Sequence, residues 1–269
     1  MRLPRKPILL LAAAIFSSAI GVNMHLAMNV NFLHEILGAS SWQQGYLESI
    51  RETCGILSFF VIGALAGRSE PRVAAVMLFL TGTGLAAYFQ ITQIHQVILW
   101  SLFWSFGFHA WAPLSGSLLL DLAKKGREGT TLGLMGGVSA AAVLLSLASV
   151  HILKTYFDVP MRTLFLIGGS LTVLGALPLL LLPSVRVARP RPFPIRRFTK
   201  GPFRLYWLLE FLDGMRRQIF VLFAVLALVQ EHGAGVGTIS LLMFCNQALN
   251  LFVAPAAGRL VDRVGERPV

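Results

Sequence analysis

Ser184–Arg204 reads SVRVARPRPFPIRRFTKGPFR. It holds seven basic residues (Arg186, Arg189, Arg191, Arg196, Arg197, Lys200 and Arg204), four prolines and no acid. So many like charges repel one another when buried, so the stretch cannot form a packed core. Alone it would suit a nucleic-acid patch. Its neighbours exclude that reading: Met161–Leu182 before it and Leu205–Val229 after it are each long and apolar enough to cross a bilayer. A basic loop between two membrane spans belongs on the cytoplasmic side, and it orients everything on either side of it.

The whole chain fits that environment. It has 269 residues, 55% hydrophobic and 13% charged, with a mean hydropathy of +0.70. A soluble domain carries about 25% charged residues. The formal charge of +11 again suggests nucleic acid. However, every Lys and Arg except Arg51, Lys154, Arg162, Arg216 and Arg217 falls in a segment assigned to the cytoplasm, as the positive-inside rule requires. Cys54 and Cys245 both lie within expected spans and imply neither a disulfide scaffold nor a metal site. The N-terminus imitates a signal peptide, but its apolar run continues past any plausible cleavage point, so it reads as an uncleaved first helix.

Hydropathy predicts an all-α, polytopic membrane helix bundle with spans at 7–33, 44–66, 73–93, 96–122, 131–154, 162–183, 204–230 and 236–260. Loop charges alternate along it. Basic residues mark the N-terminus, the second loop (Arg68, Arg72), the fourth loop (Lys124, Lys125, Arg127), the central loop and the tail (Arg259, Arg263, Arg267). The opposite side has only Lys154 and Arg162. Both termini are therefore expected in the cytoplasm.

Two turns sharpen this topology. The tail reads Gly258-Arg259-Leu260-Val261-Asp262-Arg263-Val264-Gly265-Glu266-Arg267, and the loop after span two reads Gly63-Ala64-Leu65-Ala66-Gly67-Arg68-Ser69-Glu70-Pro71-Arg72. Six spans, a long basic loop and a G-x-L-x-D-R-x-G-R-R-like turn at equivalent places in two halves resemble the major facilitator superfamily. In the tail, Gly258, Leu260, Asp262, Arg263, Gly265 and Arg267 match that turn, with Glu266 where the family prefers a base. In the first copy Gly63, Leu65, Arg68 and Arg72 match, while Gly67 replaces the acid and Glu70 the second glycine. The segment Asp121–Gly129 with Gly133 following is also similar to that family's fourth loop.

The resemblance implies two six-helix halves, each made of inverted three-helix repeats. Here that means a first half over 1–183, a linker over 184–203 and the start of a second half over 204–269. The family would continue for four more helices, so truncation after the eighth is expected. It also implies a secondary transporter working by alternating access, with gating assigned to Gly63, Arg68, Arg72, Gly258, Asp262, Arg263 and Gly265. The first and seventh helices would line its cavity.

Charges inside spans cost several kcal/mol unless paired or facing water, so each marks a candidate site. Glu48, Arg51 and Glu52 lie at i, i+3 and i+4 in span two, on one face where both acids reach the base. In span seven Glu210, Asp213 and Arg217 share a stripe with Arg216 beside it. Each cluster is either a neutralised structural network or part of a solvated path for solute and protons. The arginines suit an anionic group, and a buried Glu48 or Glu52 suits a coupling proton. Softer candidates are His25 and Asn29 on one face of span one, His109 in span four, and Asn246 and Asn250 in span eight. Structural readings stand beside these: interfacial capping for His25 and Asn29, a satisfied histidine near a Pro113 kink for His109, and interhelical hydrogen bonding for Asn246 and Asn250. Gly133 and Gly137 suggest close helix packing. His151 and His232 read as isolated outer-loop residues.

No P-loop, G-x-S-x-G, H-E-x-x-H or cysteine–histidine metal spacing occurs, so neither an enzyme nor an ATP-driven pump is expected. The sequence thus predicts a proton-coupled symporter or antiporter of a small polar or organic solute in the cytoplasmic (inner) membrane. It would need no cofactor, with the proton gradient as driving force and no nucleic-acid partner. The alternative is a transporter-shaped protein that does not transport and serves as an assembly factor or receptor.

Overall fold

The computed structural model describes residues 5–65, 68–123, 128–183, 204–218 and 223–249. Helix α1 (Arg5–Asn31) runs on through a π-helical turn at Phe32–Ile36. Helix α2 (Ser41–Ala64) starts at a capping box in which Ser40 and Gln43 satisfy each other's backbone donors. Helix α3 (Glu70–Ala86) ends in a 3-10 turn at Ala87–Gln90, and α4 spans Ile94–Leu122. Then come α5 (Glu128–Thr155), α6 (Met161–Leu180), α7 (Arg204–Gln218), α8 (Val225–His232) and α9 (Val236–Leu249). The described residues form no β-strand.

Among the described residues five stretches are long and apolar enough to cross a membrane: Lys6–Ile36, Glu70–Gln90, Ile94–Leu122, Thr131–Thr155 and Met161–Leu180. The chain is a multi-pass membrane protein. Helix α2 has the length, 24 residues, but Glu48, Arg51 and Glu52 dilute its apolar character. The expected seventh span is described as two helices, α7 and α8, with 219–222 outside the described residues, and the eighth is described only to Leu249. The α4 helix passes through Pro113 unbroken to Leu122.

Packing follows a two-fold rule. Helix α1 packs on α5 and α6, α4 packs on α2 and α3, and α3 packs on α6. Exchanging α1 with α4, α2 with α5 and α3 with α6 returns the same set of contacts. Three crossings separate α1 from α4, so the two repeats run in opposite senses, as inverted repeats do.

The rule holds down to single residues. A Cβ on Gly21 would lie 1.9 Å from Thr172 Oγ1 and 2.5 Å from the Gly168 carbonyl oxygen. Its counterpart on Gly107 would lie 2.6 Å from Thr81 Oγ1 and 2.4 Å from the Met77 carbonyl oxygen. Each threonine donates at 2.9 Å to that same carbonyl, four residues back. The shift from Gly21 to Gly107 also takes Ala14 to Trp100, and the shift from Thr172 to Thr81 takes Gly175 to Gly84. Gly175 faces Ser17 and Ala14, and Gly84 faces Trp104 and Trp100. Bare glycine lets these backbones touch, which is how helices associate where lipid removes the hydrophobic drive.

Gly133 and Gly137, expected to serve that purpose, have nothing within 4 Å of a built Cβ. Their spacing marks a helix face that meets no neighbour among the described residues. Gly107→Val is therefore expected to destabilise by about 1–3 kcal/mol or more through overpacking. Gly133→Ala should be neutral or up to about 1 kcal/mol stabilising. Thermal unfolding of the two variants in detergent checks both; equal midpoints would refute the close-packing assignment.

Candidate functional site

The capping box fixes where α2 begins and so sets which of its faces meets α4. Cys54 Sγ lies 3.5 Å from the Leu102 carbonyl, and Ser105 Oγ donates to the Arg51 carbonyl at 3.2 Å. These bonds pin α2 against α4 beside the polar face of α2. There the guanidinium of Arg51 forms an ion pair with Glu48 and a second with Glu52, at 2.6 Å. The i, i+3, i+4 arithmetic is realised: both acids reach the one base.

The two pairs differ in setting. The Glu48 and Arg51 side chains are 11% and 12% exposed, whereas Glu52 is 42% exposed. His109, at 31%, brings Nε2 to 3.7 Å from Glu52 Oε2, too long for a hydrogen bond. The cluster thus has a closed end, Glu48–Arg51, and an open end, Glu52–His109. His109 lies across Gly55, where a Cβ would sit 3.5 Å from Nδ1.

Deeper in, Arg51 sits 5.1 Å from the ring centre of Trp104. Trp104 in turn packs on His25, with ring centres 4.8 Å apart, and Tyr88 and Phe165 close the box around His25 at 4.6 and 5.3 Å. His25 is 1% exposed. Interfacial capping, one of the two readings of its place in span one, does not fit this burial: α1 continues through the π turn, which leaves His25 within the core. Both His25 ring nitrogens, Arg51 Nε and Trp104 Nε1 find no partner among the described residues. Tyr88 and Ser101 share a hydrogen bond at 2.7 Å. Trp104, Tyr88 and Ser101 had no signal in the sequence, where each is an ordinary core residue. Asn29 is buried one turn beyond His25, and its Oδ1 finds no partner among the described residues.

A second group of polar contacts joins α1, α2 and α5 to α8, α9 and the turn between them. Asn31 Nδ2 donates to the Ala234 carbonyl at 2.9 Å, His151 Nδ1 meets the Gly237 carbonyl at 2.8 Å, and Ser41 Oγ bonds Gln230. His151 is thus no isolated loop residue; it lies on α5 and bridges α5 to the start of α9. On the same side Lys154 pairs with Asp158 at 2.9 Å, and Arg162 donates to the carbonyls of Phe89 and Ile91.

On α7, Arg216 pairs with Asp213 at 2.6 Å. Among the described side chains this i, i+3 pair is what the expected stripe becomes. Glu210 is exposed, and the side chain of Arg217 lies outside the described residues. Asn246, on α9, makes a polar contact. Asn250 and the tail turn with Gly258, Asp262, Arg263 and Gly265 lie outside the described residues, as does the basic loop over 184–203. At the first turn Gly63 is exposed, and among the described residues neither Arg68 nor Arg72 has an ion-pair partner.

The sequence profile of the Major Facilitator Superfamily matches residues 11–208. The chain belongs to that superfamily. It is a family of transporters, not enzymes, and solved structures share the fold. The nucleoside transporter NupG in its D323A form superposes with a TM-score of 0.77 at 16% identity, covering 96% of this chain and 69% of that one. A bacterial homolog of the human lysosomal transporter Spinster, inward-facing and unoccupied, gives 0.69 at 13% identity, covering 98% and 64%. The inward-open xylose transporter XylE from E. coli gives 0.56 at 14% identity, covering 95% and 69%. No curated protein sequence matches the chain.

Proposed function

We propose that this superfamily member is a secondary active transporter that moves a small polar or organic solute by alternating access, coupled to protons, across the cytoplasmic membrane. Both termini lie inside. The solute meets Glu52 and His109 first, at the open end of the α2–α4 cluster, while the Glu48–Arg51 pair behind them holds the charge balance. The observation that carries this reading is that open end. A carboxylate at membrane depth is tolerated where it is paired or meets water, and Glu52 is both paired on one side and exposed on the other. A purely structural network would close on both sides.

The bonds from Asn31, Ser41 and His151 to α8 and α9 are read as a closed outer gate, so the cavity opens inward. Asn246, on α9, and the α7 pair Asp213–Arg216 are assigned to the wall contributed by the second half, together with Glu210, Arg217 and Asn250. The two turn motifs are assigned to the inner gate.

The test is proton-gradient-driven uptake into vesicles from a metabolite pool that includes nucleosides and pentoses, the solute classes of the structural neighbours. Glu52→Gln keeps the shape and hydrogen-bonding reach of the side chain but removes its charge, and is expected to bring driven uptake to vesicle background. Uptake by neither form, with specific recovery of a membrane partner, would replace this reading with the assembly-factor alternative.

A further inference from the structure

Where α2 gives way to α3, a cavity of about 410 Å³ opens at the end of the bundle. Arg68, Ser69 and Arg72 form its polar side; Leu65, Val76 and Met77 contribute to its apolar side. We propose that this cavity binds the headgroup and upper acyl chain of an anionic phospholipid.

Three features point to that ligand. First, the charge is unspent: among the described residues neither arginine has an ion-pair partner. Glu70, the acid nearest in sequence, faces away from the two arginines. Glu70 is 3% exposed and turned to Ser117 and Asp121 of α4. Gly67 occupies the place where the related turn carries an acid. Second, Ser69 precedes α3 without a side-chain cap bond, and its Oγ is buried with no partner among the described residues. A phosphate held between the two guanidinium groups pairs with both, since arginine pairs with phosphate through two parallel hydrogen bonds, and a rotation of the Ser69 side chain would turn its buried hydroxyl toward it. Third, the opposite wall is apolar and continuous with the outside of the bundle, because Val76 is 53% exposed. A free phosphate ion gains nothing from such a wall. An acyl chain does. The cavity lies where α2 ends and α3 begins; the proposal puts this end of the bundle at headgroup height, where basic side chains favour anionic lipids.

Native mass spectrometry of the purified full chain tests the assignment, using phosphatidylglycerol and phosphatidylcholine with identical acyl chains. The wild-type protein is expected to retain phosphatidylglycerol roughly tenfold better, and the double variant Arg68→Gln/Arg72→Gln to hold both alike. Elution profile and unfolding midpoint of the variant report whether it is folded; if it is not, the single variants Arg68→Gln and Arg72→Gln take its place, each expected to lose part of the preference that the other basic residues of the chain cannot restore. Equal retention of the two lipids by wild type would overturn the proposal. So would an undiminished preference in the folded double variant, or displacement of phosphatidylglycerol by millimolar inorganic phosphate, which would mark an anion site without a lipid.

Discussion

Arg51→Ala is expected to destabilise the chain by about 3–5 kcal/mol and to abolish transport, the larger of the effects foreseen at the α2–α4 cluster. The cost follows from what stays behind. Glu48, 11% exposed, keeps its carboxylate but loses the ion pair that balances it. Glu52 loses its partner too, though solvent reaches it. Removing both ends of the buried pair is a different matter: Glu48→Leu/Arg51→Leu replaces two desolvated charges by apolar groups of related volume, which is often neutral or stabilising. The thermal midpoint should therefore fall in Arg51→Ala and recover most of the way in the double variant. Transport should recover in neither if the pair sets the charge of the solute path. A double variant that transports as well as wild type would make the pair structural and remove it from the proposed mechanism.

This contrast also shows which parts of the site are legible in the chain alone. The Glu48, Arg51, Glu52 triplet is local; helical periodicity puts the three side chains together whatever surrounds them. The loop charges and apolar blocks are legible for a similar reason, because the bilayer acts on each segment separately. Partners brought by packing are not local. His25 looks interfacial until α1 is seen to continue to Ile36 and Tyr88, Trp104 and Phe165 close around it. His151 has no neighbour in sequence that hints at Gly237. The Gly133 and Gly137 spacing shows the converse: a pattern that permits close packing does not supply the second helix. Gly21, Gly107 and Thr81 carry the real contacts, and only the two-fold relation between repeats makes their positions intelligible.

Gly237→Val is expected to shift the protein away from the proposed closed outer gate by roughly tenfold or more. At Gly237 the start of α9 lies so near α5 that a Cβ would come within 2.4 Å of Thr155 Oγ1, with His151 Nδ1 at 3.8 Å. Valine adds two further methyl groups to that space. Overpacking of this kind costs about 1–3 kcal/mol. Because the strain exists only while α9 is seated on α5, it is relieved when the gate opens, and each 1.4 kcal/mol changes the equilibrium about tenfold. The His151–Gly237 bond, 2.8 Å long, would be stretched at the same moment, adding to the shift. Val30 reports the result, since it is buried against Leu226, Val229 and Ile239 and makes none of the bonds of the proposed gate. With Cys54 and Cys245 replaced by serine, Val30→Cys should react slowly with a membrane-impermeant maleimide from outside, and faster by that factor once Gly237→Val is added. Solute binding from the outer side should rise in parallel while full turnover falls, because a gate that cannot seat itself cannot complete the cycle. Labelling that is unchanged by Gly237→Val would show that the α5–α9 contact does not guard the outer entrance, and Thr155 and His151 would then be packing residues alone.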